Sequence, residues 1–442
     1  MWYNRGYERI MFKCAFCEKD ITPSLGMIIP GDFSARYSDG VLKSLMVRAM
    51  VISDGKHTVA LAVVDSCGLY ADVAESVRRR VSKSTGISAE AVMIMATHSH
   101  SAGPTLNWGE EIYVNPKYID LLTEKTSDAI TEAFKNMREV SLFTNASVLE
   151  GVSFIRVFRM NGGGLKTNPG VGNPDIVEPA CEIDRELSVV YMLENGKPTG
   201  AIINFALHPA IVCGTKSHGD YISVVAEEMK KKFGDGFITL FINGACGNIN
   251  HINPFDERTV QPGIHNVIGK KIADCAISLL GNAEEKNGDI SYTSSRIKLR
   301  RRRASADELI SAAKHLDSFG DQLENSGPGT LGYKETFFAL QAMLSRVDRT
   351  VFTETELQAI KIGKIHIYGV PAQIFCEFGK KIKKNSSFSM VSAFANDYIG
   401  YIPTPECMKP GVYEARLAAT SRHTAEAGDI ICKEMAKLHK QL

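Results

Sequence analysis

A chain of 442 residues, 44% hydrophobic and 23% charged, is long enough and apolar enough to bury a sizeable core. Its formal net charge of +1 supplies no field to gather nucleic acid or an anionic membrane. No stretch approaches the roughly 18 apolar residues of a membrane span, and the opening MWYNRGYERIMFKC lacks the apolar run of a secretory signal. The ten cysteines are therefore expected as thiols in a cytoplasmic protein.

Cys14 and Cys17 form a lone CxxC near the first strand, without the second pair a zinc knuckle needs, and read as incidental thiols. Residues 45–53 and 58–69 read as strands, followed by an amphipathic helix over 71–86. A buried strand, AVMIMATHSH (91–100), precedes a long helix over 118–137. GGG at 162–164 reads as a hairpin turn, since no phosphate-loop pattern accompanies it. Strands at 200–209 and 236–248 flank a helix over 223–234. Because these strands are continuously apolar, the spacing predicts an α/β fold with a mixed, largely parallel sheet covered by helices on both faces.

The four arginines Arg300 to Arg303 read as a solvated edge. From 304 to 360 the chain is expected to be a helical insertion, interrupted by the loop NSGPGTLG (325–332). Strands return at 364–371 and 388–404, and a polar helix from about Ala425 ends the chain. One domain over 1–442 with that insertion is the simplest organisation.

His98 and His100 stand two apart at the end of an apolar strand, so alternation would project both to one side. Strand carboxyl ends are where α/β sheets place their sites, and neutral imidazole is a common zinc ligand. His208, in NFALHP, repeats the arrangement, and a loop between supplies His218 and Asp220. A third strand ends in NGACGNIN, where glycines let backbone approach closely. These residues look like one site assembled from distant segments. His315, His366, His423 and His439 have no partner motif.

Several of these segments are similar to those of the neutral, non-lysosomal ceramidase family. DITPS (20–24), ATHSHSAGP (96–104), FIRVFRMNGG (154–163), NFALHP, GDY and GYIPTPECMKPGVYEA (400–415) carry the resemblance, of which ATHSHSAGP is the most specific. It implies a short bacterial homologue of the catalytic domain, without the family's β-sandwich. It also implies one zinc ion held by His98 and His208 with Tyr401, and His100 beside it as proton donor and acceptor. Arg156 would act on substrate or on developing negative charge, and Asp220 would orient a ligand or support one through a hydrogen bond.

Two departures stand out. VPAQIFCEFG puts Gln373 where the family has a glutamate ligand, and Asn248 and Asn250 replace an aspartate and a serine. Glu377, one helical turn on, reaches the metal only if that segment is shifted. The reading that follows is a zinc-dependent amidohydrolase acting on a small-molecule or lipid-like linear amide. Three alternatives stay open. One is a related metal-dependent isomerase or epimerase. Another is an enzyme using Cys246 as nucleophile. The third is a non-enzymatic homologue that only binds a ligand.

Overall fold

The computed structural model describes residues 11–33, 35–107, 112–319 and 333–442. The expected loop at 325–332 and the first ten residues lie outside the described residues. The largest sheet among them has nine strands. Across it run Ile238–Asn243, Lys197–Phe205, Glu186–Glu194, Arg138–Val148, Phe12–Asp20, Met46–Ser53, Thr58–Val64 and Val92–Ala96, with Glu284–Lys286 also paired to Arg138–Val148. The sheet is mixed, as expected, but mostly antiparallel. Parallel pairing is confined to Lys197–Phe205 with Ile238–Asn243 and Thr58–Val64 with Val92–Ala96.

The physical reason for this correction lies in how the sheet is covered. It folds over on itself, so that Val190, Ile202, Leu240 and Ile242 share one core with Val47–Ile52 and Ala60–Val64. Helices α1 (Ala71–Thr85) and α2 (Pro116–Lys135) pack on one half, and α3 (Asp220–Phe233) and α4 (Ile264–Leu279) on the other. Met46–Ser53, Thr58–Val64, Val92–Ala96 and Ile238–Asn243, and most of Glu186–Glu194 and Lys197–Phe205, are buried on both faces, which makes antiparallel strands read as continuous apolar runs. Arg138–Val148 and Glu284–Lys286 keep exposed residues. Local signals set the helices: Asn115 caps α2 by accepting from the Lys117 and Tyr118 amides, with Pro116 in the first turn.

A second sheet takes the order Ile290–Arg300, Phe352–Ile362, Ile365–Gly369, Ser389–Ser392. Helices α7 (Cys376–Lys383) and α8 (Ala427–His439) pack on it. The expected helical stretch 304–360 is helix only in α5 (Ala306–Phe319) and α6 (Tyr333–Val347), and Phe352–Ile362 is a strand. Its first half alternates, with Glu354 and Glu356 at least partly exposed and Thr355 and Leu357 buried, and Leu357–Ile360 is then buried throughout. Arg301 pairs with Asp348 and Arg302 with Glu308, so the arginine run staples the helical pair to the sheet instead of lying free in solvent. GGG at 162–164 does form the turn between two antiparallel strands, Val157–Met160 and Leu165–Thr167. Cys14 and Cys17 lie buried in the first strand. No helix among the described residues is long and apolar enough to cross a membrane.

Candidate metal centre

The strand Val92–Ala96 ends two residues before His98, which takes a left-handed backbone with φ of 70°. This conformation is rare outside glycine and turns the chain sharply. His98 and His100 therefore meet through a turn, not through strand alternation as the sequence predicted. Their Nε2 atoms are 3.3 Å apart, and His100 Nε2 is 3.2 Å from His208 Nε2. His208 enters from the loop after Lys197–Phe205. Two nitrogens bound to one tetrahedral ion at about 2.0–2.1 Å lie about 3.3–3.4 Å from each other, close to both separations.

The rings are held in the tautomer a cation needs. His98 Nδ1 donates to the Cys67 carbonyl, and the ring stacks on Phe394 at 4.1 Å between centroids. His208 Nδ1 faces the Cys246 carbonyl at 3.5 Å. A carbonyl can only accept, so each Nδ1 carries the proton and each Nε2 keeps its lone pair. Burial lowers His98 to about 3 and holds His100 and His208 well below the usual imidazole value. All three are neutral at pH 7, the form that binds metal. Cys67 Sγ lies 3.8 Å from His98 Nδ1, and the donor atoms of Cys67, His98 and His100 fall within 4.8 Å of one another. Burial pushes the Cys67 thiol up to about 12, so without a cation it is neutral.

Gln373 is buried and its side chain lies against His98. Its Nε2 donates to the Tyr398 hydroxyl at 2.6 Å, whereas its Oε1 has no hydrogen-bond partner among the described residues. A buried carboxamide oxygen without a donor is costly in water-free surroundings and suits a cation. Gln373–Ile374 pairs in parallel with Tyr401–Ile402, which brings Tyr401 beside it. The Tyr401 hydroxyl accepts from Arg156 Nη2 at 3.1 Å, and the same nitrogen donates to the Gly247 carbonyl at 2.7 Å. Burial pushes the Tyr401 phenol up to about 12, with Arg156 pulling the other way. Arg156 Nε pairs at 2.6 Å with Glu414, which is wholly buried and also accepts from the Thr167 hydroxyl. His100, Arg156, Gln373, Tyr401, Tyr413 and Lys334 are among the residues lining a cavity of about 430 Å³.

Asp220 falls elsewhere. It is the first residue of α3, not part of a loop, and its carboxylate accepts from the backbone amides of Ile211, Val212 and Tyr221. Through these bonds it holds the loop that follows His208. Glu377 points to Asn248 at 2.8 Å. Cys246 is buried and its thiol is raised to about 12 by burial, the wrong state for a nucleophile. His366 and His439 do meet, with ring centroids 4.9 Å apart, although no motif marks them.

Some supporting residues carried no sequence signal of their own. Glu414, Tyr398 and Phe394 act only through partners distant in the chain. Gly31, with φ of +113°, lies so close to His100 that a Cβ there would come within 2.9 Å of the ring. A Cβ on Gly247 would meet the Gln373 carbonyl at 2.4 Å, so that glycine serves backbone packing rather than a ligand. Arg36 donates to the carbonyls of Pro30, His100 and Gly214, which joins three loops around the imidazoles.

Five imidazoles away from the cavity, among them His265, set a pH dependence. Burial lowers His218, His251 and His366 to about 4 and His423 to about 3. The unfolded chain takes up these protons near 6.5 while the folded chain refuses them. Stability is thus complete above pH 6.5 and lost as pH falls towards 4. Asp65, Asp220 and Asp397 are raised by burial and oppose this trend, but they are fewer. Denaturant unfolding of chelator-treated protein is expected to show a midpoint that declines steadily from pH 7 to 4.5. A flat midpoint would contradict the assignment.

The fold has solved counterparts. The crystal structure of neutral ceramidase from Pseudomonas aeruginosa superposes with a TM-score of 0.73 at 17% identity, covering 98% of this chain and 74% of that one. The chain has the neutral ceramidase fold. A ceramidase structure complexed with C2 matches with the same TM-score and identity, over 97% of this chain and 75% of that chain. No family model and no curated protein sequence matches the chain. The likeness to ceramidase is therefore one of architecture.

Proposed function

We propose that the protein is a metal-dependent hydrolase of amide bonds. The observation that carries this reading is that His100 Nε2 lies 3.3 Å from His98 Nε2 and 3.2 Å from His208 Nε2, all three rings neutral, beside a buried Gln373 oxygen without a hydrogen-bond partner among the described residues. His98 and His208 would hold a zinc-type cation, with Gln373 and Tyr401 completing the donor set. Such a cation, when bound, supplies Lewis acidity, making water a nucleophile near neutral pH and polarising a carbonyl. His100 receives a proton at Nε2 and returns it to the leaving amine. Arg156, fixed by Glu414, holds a positive charge at the cavity wall, where it favours negative charge developing on a substrate oxygen. Tyr401 is oriented by the same guanidinium. Gln373 offers an uncharged oxygen, so the site carries one less negative charge than a glutamate would give it.

The substrate class is a linear amide. A lipid-like amide is the reading favoured by the shared architecture, since one counterpart is a ceramidase complexed with C2. The Cys246 alternative is disfavoured by that thiol's raised pKa.

Metal analysis tests the assignment. His208→Ala is expected to lose about one metal per chain, and His100→Gln to keep its metal but lose turnover of an N-acyl amide. Gln373→Glu should retain metal longer against a chelator. Equal metal loss in His100→Gln would make that residue a ligand. Unchanged metal content in His208→Ala would remove the proposal altogether.

A further inference from the structure

A second group of donors lies behind the imidazoles and takes no part in the chemistry above. Cys181 follows the short strand Ile176–Pro179, and Cys376 and Glu377 open α7. Their sulfur and carboxylate atoms all fall within 4.8 Å of one another. The two Sγ atoms are 3.9 Å apart, and Cys376 Sγ is 3.5 Å from Glu377 Oε2. A disulfide needs about 2.05 Å, whereas two thiolates on one tetrahedral ion with bonds of about 2.3 Å sit about 3.8 Å apart.

Asn248 braces the group. Its Oδ1 accepts from the Cys376 amide at 2.9 Å, which turns Nδ2 towards Glu377 Oε2 at 2.8 Å and Cys181 Sγ at 3.4 Å. Ligating groups are commonly held by such outer hydrogen bonds. Nearby lysines are engaged elsewhere: Lys380 with Glu182, and Lys383 with Asp184 and Glu186. Three groups that become anionic on deprotonation thus converge with no Lys or Arg paired to them among the described residues. Cys181 is only half-buried, so solvent has access to the group.

We propose that Cys181, Cys376 and Glu377 form a second metal site, for a thiophilic divalent cation of the zinc class. Binding exchanges two thiol protons for the cation and leaves a fourth position to water. Asn248 adjoins Gly247, whose carbonyl receives Arg156, so a cation here steadies the wall of the imidazole cavity. The site does not depend on the function proposed above.

Cobalt(II) separates the two centres in a Cys67→Ser background, which removes the sulfur next to His98, because only sulfur ligands give an intense thiolate-to-metal absorption in the near ultraviolet. That protein, otherwise intact and loaded with cobalt(II), is expected to show that band. Cys181→Ser and Cys376→Ser should lose it together with about one cobalt per chain, and His208→Ala should keep it. Cys181→Ser carries the test if Cys376→Ser fails to fold. The proposal is overturned if the band is missing in the parent protein, or survives in Cys181→Ser. It is equally overturned if non-reducing mass spectrometry finds the pair joined as a disulfide.

Discussion

Alanine in place of His98 is expected to lower amide hydrolysis by more than about 100-fold and to empty the imidazole site of metal. Losing a group that merely supports a ligand costs about 10–100-fold, and His98 is itself placed to ligate. Its ring is fixed from three sides: by the Cys67 carbonyl at Nδ1, by Phe394 against its face, and by Gln373 alongside. No other described imidazole besides His100 and His208 is brought to this point. Because residue 98 has φ of 70°, alanine also meets an unfavourable backbone. His98→Asn is the sharper variant, since asparagine tolerates that conformation but has no imidazole. It should fold with a circular dichroism spectrum like the parent's and still lack metal and turnover. Retention of both would show that the cation does not bind here.

The second large effect concerns stability. Arg156→Met is expected to destabilise the protein by about 3–5 kcal/mol, the usual result of removing one partner from a buried ion pair. Glu414 would remain wholly buried with its charge unmatched, keeping only the Thr167 hydroxyl. Tyr401 and the Gly247 carbonyl would lose a donor as well. The double variant Arg156→Met, Glu414→Gln removes both charges together and should recover most of the loss, while turnover stays low because the cavity wall has lost its cation. Denaturant unfolding of the two variants measures this directly. A single-variant cost below about 1 kcal/mol would mean that water reaches the pair and screens it.

Much of this was legible in the chain because it is local. Apolar runs ending in histidine and then proline announced His98 and His208, and the helices showed through their period and caps. What escaped is what depends on distant partners. Continuous apolarity says that both faces of a strand are covered, but not whether by helices or by the other half of a folded sheet, so the balance of parallel and antiparallel pairing was misjudged. Phe352–Ile362 carries enough charge to pass for helix, and the run Leu357–Ile360 within it is buried on both sides by partners distant in the chain. Asp220 stood in a motif yet turned to backbone amides. Glu414 lay in a quoted segment with no role, since nothing nearby shows that a guanidinium from residue 156 will meet it.

The three bonds of Arg36 bear on how the cavity breathes. One planar fork holds the carbonyls of Pro30, His100 and Gly214, so a displacement of any of these loops is transmitted to the other two. Releasing any one of these loops breaks a bond to the guanidinium that also holds the other two. The same guanidinium fixes the backbone of His100, which lines the cavity.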